Sequence, residues 1–164
     1  MEQRSGCPIN LSVELLGDKW SLVVLRDIMF GNRRTYGEIH AASLEGIATN
    51  ILVDRLRRLV AAGLLTAAPD PGHKQRTIYS LTETAIALVP VMIALGTWGA
   101  RYLPVSPALA ARALALEAGG PEMAAAFMAE LRHLHLHAAT PSRSVLAELD
   151  RAYEKAAGRP APPS

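Results

Sequence analysis

The chain has 164 residues, of which 50% are hydrophobic and 20% charged, and its formal net charge is +2. This length suits one domain with a core, or one domain with a helical extension. So small a net charge excludes DNA binding by overall charge, so any DNA-binding surface must come from local clusters of basic residues. One cysteine excludes an internal disulfide and fits a reducing compartment. No apolar run has the length of a membrane span and the N-terminus lacks a signal peptide's apolar region, so we expect a cytoplasmic protein without membrane contact.

The first two helices are predicted from their end signals. Pro8 opens the first helix, because proline is favoured at the first helical position, and Gly17 ends it. Asp18 can cap the second helix, which runs from Lys19 to Phe30 and stops at Gly31.

A helix-turn-helix unit follows. Thr35 and Glu38 have the spacing of a capping box and start a short third helix that ends near Ala42. After a turn comes the stretch GIATNILVDRLRRLVAAGLL, with Gly63 as the residue that closes the fourth helix. Apolar residues with i, i+4, i+7, i+8 spacing place one face of that helix in a core. These residues are Leu52, Leu56, Leu59 and Val60.

The opposite face of the fourth helix carries Thr49, Asn50, Val53, Asp54 and Arg57. Short polar side chains at the start of a helix can reach base edges in the DNA major groove, while arginines further along reach phosphates. This pattern is typical of a recognition helix. An amphipathic surface helix with a merely solvated outer face would show the same pattern.

A β-hairpin is predicted after the fourth helix. Leu64 to Ala68 is short and apolar, Pro69 to Gly72 is a dense turn signal, and Thr77 to Leu81 is rich in β-formers. Lys74 and Arg76 lie at the basic tip, where they could contact phosphates or the minor groove. Beside a helix-turn-helix such a hairpin is a wing; the alternative is a solvated hairpin with incidental charges.

The rest of the chain is predicted to be helical. Thr82 caps a long helix that runs to about Tyr102 and is kinked at Pro90. Three further helical patterns run from Pro107 to about Ala118, from Pro121 to about Ala138 and from about Pro141 to Ala157. We therefore predict a winged helix-turn-helix domain with its long helix at 1–104, a helical extension at 105–157 and a disordered tail at 158–164. The extension is expected to pack on the long helix or on a partner subunit, or to wall a small-molecule pocket, with an interface favoured.

Catalytic and metal-binding patterns are weak. Glu130, His133 and His137 share a helix face and could hold a metal ion, but the alternation of histidine with leucine is more simply a helix flank. A phosphate-binding glycine loop and a nucleophile motif are both lacking. We predict neither an enzyme, nor a metal site, nor a cofactor.

Residues 7–102 resemble the HxlR-type transcriptional regulators, winged-helix proteins related to the MarR group. The motifs that carry the resemblance, in order, are CPI, LLGDKWSLVVLRDI, GNRRTYGEI, GIATNILVDRLRRLVAAGLL, RTIYSLTE and PVMIALGTWG. The resemblance implies a mainly α, winged helix-turn-helix fold and a homodimer on a two-fold symmetric, double-stranded DNA operator. The two recognition helices of such a dimer must match major grooves about 34 Å apart.

The resemblance also assigns roles by position. The residues expected at DNA are Arg33, Arg34, Thr35, Thr49, Asn50, Val53, Asp54, Arg57, Lys74 and Arg76. The residues expected at the dimer interface, on the first helix and the long helix, are Ile9, Leu11, Leu15, Val89, Ile93 and Trp98. Ala48 stands where the family usually has a capping serine, so Thr49 is expected to take over the cap. Asp18 replaces a common glycine and Gln75 a common proline.

Cys7 is a candidate redox sensor, because some family members sense oxidants through a cysteine at this position. A helix N-terminus favours the thiolate form of a thiol, which raises its reactivity. The alternative is a half-buried cysteine with no sensing role.

Together these features predict a dimeric transcriptional repressor that a small-molecule effector or thiol modification releases from its operator. The alternative is a winged-helix scaffold that binds proteins or small molecules without specific DNA binding.

Overall fold

The computed structural model describes residues 5–159, which form two compact units with their boundary between Ala85 and Ile86. The first unit contains α1 (Pro8–Leu16), α2 (Ser21–Gly31), α3 (Tyr36–Ala41), α4 (Thr49–Ala61), β1 (Leu65–Asp70) and β2 (His73–Leu81). Helix α5 (Glu83–Ile86) spans the boundary. The second unit contains α6 (Val89–Tyr102), α7 (Pro107–Ala118), α8 (Gly120–Leu136) and α9 (Val145–Ala156). The predicted mainly α, winged helix-turn-helix fold is confirmed.

The core of the first unit lies between α2, α3, α4 and the hairpin. Helix α2 packs against α3, α4 and β2, and α4 packs against β1. The apolar stripe predicted on α4 is buried at Leu52, Leu56 and Leu59. Burying a leucine side chain contributes about 1.5–3 kcal/mol, so this stripe fixes which face of α4 turns outward. The other buried apolar residues of the unit are Val24, Leu25, Ile28, Met29, Ile39, Ile47, Leu64, Leu65, Leu81 and Ala85.

The predicted end signals act on α2, but the helix begins at Ser21 rather than at Lys19 and ends one residue later than predicted. One carboxylate oxygen of Asp18 accepts the backbone N–H groups of Trp20 (2.8 Å) and Ser21 (3.0 Å), so it caps α2. Helix α2 does not stop before Gly31 but includes it, and Asn32 ends the helix in the left-handed region at φ 47°. Asparagine tolerates this conformation better than other side chains do, which explains the shift.

The helix-turn-helix unit has the two end signals expected from its sequence. The capping box is formed: Glu38 N–H donates to the Thr35 hydroxyl (3.3 Å), and the Thr35 N–H donates to the Glu38 carboxylate (2.9 Å). Gly63 closes α4 at φ 72°, with its N–H on Val60 O (3.0 Å) and the Leu64 N–H on Leu59 O (2.9 Å). These two bonds form a Schellman motif, which satisfies carbonyl groups that the helix end leaves open.

The hairpin is longer than predicted. Its antiparallel strands pair Leu65 with Leu81, and β1 continues through Pro69, where the register shifts before Asp70. Proline is tolerated on an edge strand or at an irregularity, so the turn signal did not end the strand. The base of the hairpin is tied to the segment before α3 by the Tyr79 N–H, which donates to the Arg34 carbonyl (2.7 Å).

The segment after the hairpin differs from the predicted kinked helix. The Thr82 hydroxyl accepts the Ala85 N–H (3.3 Å), as expected of a cap, but α5 ends at Ile86 and α6 begins at Val89. Pro90 lies in the first turn of α6, where its missing N–H costs no hydrogen bond. The helix is therefore interrupted before Pro90 rather than kinked at it. By length and composition Glu83–Tyr102 is, among the described residues, long and apolar enough to cross a membrane. That finding differs from the expectation that no run reaches such a length.

In the second unit, α6 packs against α7 and α8, and α9 packs against α7 and α8. A Cβ built on Gly96 would lie 2.8 Å from the Ala113 side chain, so α6 and α7 approach closely where glycine stands. Helix α6 thus lies in the same compact unit as the extension, and that unit begins at Ile86. The division into domains at residue 104 stays a prediction. Of the predicted tail, residues 160–164 lie outside the described residues.

Candidate nucleic-acid interface

The start of α4 presents two short polar side chains to solvent. Ala48 is the N-cap residue and no side chain caps the helix, while Thr49 and Asn50 are the first helical residues and are both exposed. The expectation that Thr49 replaces the missing cap is therefore wrong, because Thr49 already has helical geometry and lies one residue too late. Thr49 is therefore an exposed residue of the first turn and not a cap.

Further along α4, the predicted outer face is largely solvent-accessible. Val53 is exposed, and the Arg57 side chain keeps 74% of its surface accessible. Both lie opposite the buried stripe. Along this face come small polar groups, then an apolar side chain, then a guanidinium. Such groups can contact base edges, a thymine methyl group and phosphates in a major groove.

Asp54 differs from its neighbours on this face. Its carboxylate lies 2.9 Å from Nη2 of Arg55, 2.9 Å from Nε of Arg58 and 4.0 Å from Nη2 of Arg57. The carboxylate that was expected to face bases is therefore engaged by arginines of its own helix. The sequence contains the signal for part of this, since Asp54 and Arg58 have the i, i+4 spacing of a helix ion pair.

Two residues expected at DNA, Arg34 and Thr35, have hydrogen-bond partners within the first unit. The Nε of Arg34 donates to the Tyr79 carbonyl (3.3 Å) and a second guanidinium nitrogen donates to the Ser80 hydroxyl. Burial lowers the pKa of Arg34. Thr35 is buried and its hydroxyl belongs to the capping box. Arg33 is half-buried, as Arg34 is, and keeps part of its surface accessible.

The wing carries its basic residues on an exposed strand. Lys74 and Arg76 are both exposed, and Arg76 Nε lies 2.5 Å from a carboxylate oxygen of Asp70 across the turn. The Gly72 N–H, which donates to Asp70 at 2.8 Å, and the Arg76 guanidinium together lower the pKa of Asp70. Sequence reasoning missed this partner, because the two residues face each other only once the strands extend to a two-residue turn.

A network beneath the helix-turn-helix holds the turn before α4. Arg26 donates to both carboxylate oxygens of Glu45, at 2.6 and 2.9 Å, and also contacts Asp27 (2.8 Å). Hydrogen bonding from Arg26 lowers the pKa of Glu45, whereas burial raises the pKa of Asp27. The network joins α2 to the turn that leads into α4, and it was not predicted.

The residues proposed for dimerisation and redox sensing differ in accessibility. Cys7 is exposed, and its carbonyl accepts the Leu11 N–H (3.0 Å) at the start of α1. Ile9 and Leu15 on α1 are exposed and Leu11 is half-buried. In the second unit Trp98 is 53% exposed and Ile93 is half-buried, but Val89 is only 1% exposed and is used by the core.

The histidine-rich end of α8 has structural partners. Buried Glu130 accepts the Ser144 hydroxyl (2.6 Å) and the Leu146 N–H (2.9 Å), so it holds the start of α9. His133 Nδ1 lies 2.9 Å from the Ala138 carbonyl, and His137 ends the helix at φ 57°. Within residues 5–159, no group of three or more His, Cys, Asp or Glu side chains is arranged to hold a metal ion.

Comparison with known proteins agrees with this geometry. The profile of the HxlR-like helix-turn-helix family matches residues 15–107. An uncharacterized HTH-type transcriptional regulator of Mycobacterium tuberculosis is 38% identical over 99 residues, which are 60% of this chain. The matched part spans about 61% of that relative's length. The residues beyond 107, which include most of the extension, lie outside the family match.

Two solved structures share the fold. PA1607, described as a candidate transcription factor, matches with a TM-score of 0.57 and 33% identity over 63% of this chain and 70% of its own. A protein from Porphyromonas gingivalis W83, described as a candidate transcriptional regulator of the MarR family, matches with a TM-score of 0.52 and 26% identity. That match covers 63% of this chain and 99% of the other. The family and these relatives are transcriptional regulators and not enzymes. With the winged helix-turn-helix and the family profile in agreement over more than half of its length, this chain belongs to the HxlR-like helix-turn-helix family.

Proposed function

We propose that this protein is a sequence-specific transcriptional repressor that binds a two-fold symmetric operator as a cytoplasmic homodimer and is released by a small ligand or by thiol modification. The observation that carries the proposal is the exposed polar face of α4, which lies opposite its buried stripe. Thr49 and Asn50 are exposed at the start of this face, and Arg57 is exposed further along it.

Contacts to DNA divide between reading and positioning. Thr49, Asn50 and Val53 are the side chains we assign to base edges, because they are exposed and small. We assign to phosphates Arg57 of α4 and both Lys74 and Arg76 of the wing, which are exposed. Phosphate contacts set affinity and orientation without reading sequence. Asp54, Arg34 and Thr35 have internal partners and are left out of the direct contacts.

A dimer would bury apolar surface that a single chain leaves open. Ile9, Val13 and Leu15 are exposed on α1, and Val91, Leu95, Trp98 and Tyr102 are exposed at helical spacing along α6. Large exposed apolar patches are typical of interfaces. Val89 is not included, since the second unit already buries it. A signal that alters the separation of the two recognition helices weakens operator binding without touching a base contact.

The function is tested by titrating fluorescent duplexes with the purified protein across a salt series. One duplex carries the DNA upstream of the protein's own gene and the other a random sequence. Tighter binding to the upstream duplex, with affinity that falls steeply as salt rises, is the expected result. Weak and equal binding to both duplexes would overturn the proposal.

Release by thiol modification is tested at Cys7. Oxidation of two Cys7 thiols by hydrogen peroxide forms one inter-subunit disulfide and two molecules of water. We expect peroxide to weaken operator binding by the wild-type protein, with a dimer band on non-reducing gels, and dithiothreitol to reverse both. The Cys7→Ser variant should bind equally well with and without peroxide; a variant that still responds would remove Cys7 from the mechanism.

The second candidate function is a winged-helix scaffold for a protein or small-molecule partner. Ala48 at the N-cap, and the pairing of Arg76 with Asp70, favour it, since both weaken a DNA-binding surface. A scaffold of this kind would show no salt-dependent affinity for DNA, so the titration above separates the two functions.

A further inference from the structure

One carboxylate on the recognition helix faces three guanidinium groups. Asp54 is in ion-pair range of Arg55, Arg57 and Arg58, all within four residues of it on α4. The two outward arginines are 74% and 66% exposed in their side chains, whereas the Asp54 side chain is 33% exposed. The Asp54 carboxylate therefore lies beside Arg57 and Arg58, the two of these arginines whose side chains are most accessible to a phosphate.

The third arginine fixes the position of this carboxylate. The Arg55 side chain is only 14% exposed, and its Nη1 lies 3.0 Å from a carboxylate oxygen of Asp18, the residue that caps α2. Its Nη2 contacts Asp54 at 2.9 Å. Arg55 thus bridges Asp54 of α4 to Asp18 in the turn before α2, and this bridge restrains the position of the Asp54 carboxylate.

The Asp54 carboxylate affects binding to random DNA and binding to the operator differently. On random DNA the affinity comes from phosphate contacts, so a phosphate must compete with Asp54 for Arg57 and Arg58 and is repelled by the carboxylate. On the operator, base-edge contacts fix one orientation of α4. In that orientation the repulsion is offset, because arginines already held in one geometry lose less conformational freedom on binding.

We propose that Asp54 is a specificity-determining residue that does not read bases. It lowers affinity for DNA that lacks the operator by holding Arg57 and Arg58, with Arg55 and Asp18 as its anchor. The inference rests on the proposed function, because it assumes that α4 is the helix that meets DNA.

The test is the Asp54→Asn variant, with dissociation constants for the upstream and random duplexes at several salt concentrations. Exposed ion pairs are weak, so random DNA should bind about threefold more tightly for each protomer that contacts it. Binding to the upstream duplex should change by less, and the ratio of the two constants should fall. Asp54→Ala is a second neutral variant should the first fold poorly, as judged by circular dichroism.

Asp150→Asn is the matched control, because it changes the net charge by the same amount. Asp150 lies on α9 and forms an exposed ion pair with Arg112 of α7. If Asp54→Asn and Asp150→Asn alter random-DNA binding equally, the inference is overturned while the proposed function stands. A wild-type protein without salt-dependent DNA binding would overturn both.

A second background tests whether Asp54 acts through the arginines. In a protein that carries Arg57→Gln and Arg58→Gln, the further change Asp54→Asn should have less than half of its effect on random-DNA binding. A full effect in that background would mean direct repulsion of phosphates and would overturn the proposed role of the arginines.

Discussion

Asp27 is an ionisable residue inside the first unit, with 5% of its surface exposed. Burial raises the pKa of its carboxyl group, although the hydrogen bond and charge of Arg26 act in the opposite direction. Glu45, on the other side of the same guanidinium, has its pKa lowered, chiefly by hydrogen bonds from Arg26. One arginine thus joins two carboxyl groups whose protonation affects stability with opposite signs.

We expect the stability of Asp27→Asn relative to wild type, measured as the free energy of unfolding, to increase as pH rises above 3.8, the ordinary pKa of an aspartate. In that window the unfolded wild-type chain ionises at this site before the folded chain does, so the wild-type protein loses free energy of unfolding until the pH passes the raised pKa. The variant has no such loss. Urea unfolding at a series of pH values measures the difference.

Glu45→Gln is the matched variant of opposite sign. Its wild-type carboxylate contributes stability that is present above the ordinary value of 4.5 and is lost as pH falls through the lowered pKa. The free energy of unfolding of the variant, relative to that of wild type, should therefore decrease as pH rises through this range. Differences that do not vary with pH, in either variant, would contradict the assigned cause.

At the scale of single residues, exposure was predicted from the sequence and partners were not. The spacing of the apolar stripe was enough to place Thr49, Asn50 and Arg57 outside. Arg34 and Arg76 were assigned to DNA by their positions in the family resemblance. Each has a partner on another segment: the carbonyl of Tyr79 and the carboxylate of Asp70. Such partners depend on tertiary distances that periodicity does not contain.

At the scale of elements, Gly63 makes a sharp prediction about the end of α4. Its φ of 72° lies in the left-handed region, and no atom lies within 4 Å of where a Cβ would be, so substitution affects only the backbone. We expect Gly63→Ala to lower the free energy of unfolding by about 1–2 kcal/mol. Thermal or urea denaturation measures the change.

Gly37 is the control for this prediction. It lies within α3, also has no atom within 4 Å of a built Cβ, and has an ordinary φ. Gly37→Ala should stabilise the protein by about 0.5–1 kcal/mol, because alanine loses less backbone freedom in a helix. If both substitutions change stability in the same direction, the Schellman geometry does not limit the choice of residue at position 63.

Element types were predicted well where the chemistry of an end is local. The capping box of α3 and the bounds of α7 at Pro107 and Ala118 agree with the sequence patterns. The break between α5 and α6 was missed, because Pro90 is compatible both with a kink and with a new first turn. The missing side-chain cap of α4 was foreseen at Ala48, but its replacement by Thr49 was not correct.

At the scale of the whole molecule, affinity for DNA should depend on few exposed cations. We expect the double variant Arg57→Ala, Arg76→Ala to bind every duplex more weakly and to flatten the dependence of log K on log salt. Each lost phosphate contact reduces that slope by about 0.9, so a dimer that loses four contacts should lose about 3–4. The salt series above measures it.

The control for this prediction is the double variant Arg143→Ala, Arg151→Ala, which removes the same charge from exposed positions around α9. Its slope should match that of the wild-type protein. Equal slopes for all three proteins would show that DNA does not meet α4 and the wing.

The division into two units also shows what the family resemblance leaves open. The resemblance extends to residue 102 and the family profile to residue 107, yet α6 packs with helices that lie beyond that limit. The motifs could place the DNA-binding unit because each is a local signal for a helix end or a strand. They could not place α7 and α8 on α6, since that packing depends on close approach at positions such as Gly96 and Ala113.

The backbone bond between Tyr79 and Arg34, with the bridge between Thr35 and Ile78, makes the hairpin continuous with the helix-turn-helix. The wing cannot pivot on its own without breaking these bonds. In a complex with DNA, α4 and the wing should each protect a stretch of the DNA backbone. The number of base pairs between these two protected stretches should therefore be the same in every half-site. Hydroxyl-radical cleavage of operators with altered spacers should show that number unchanged, while the interval between half-sites varies.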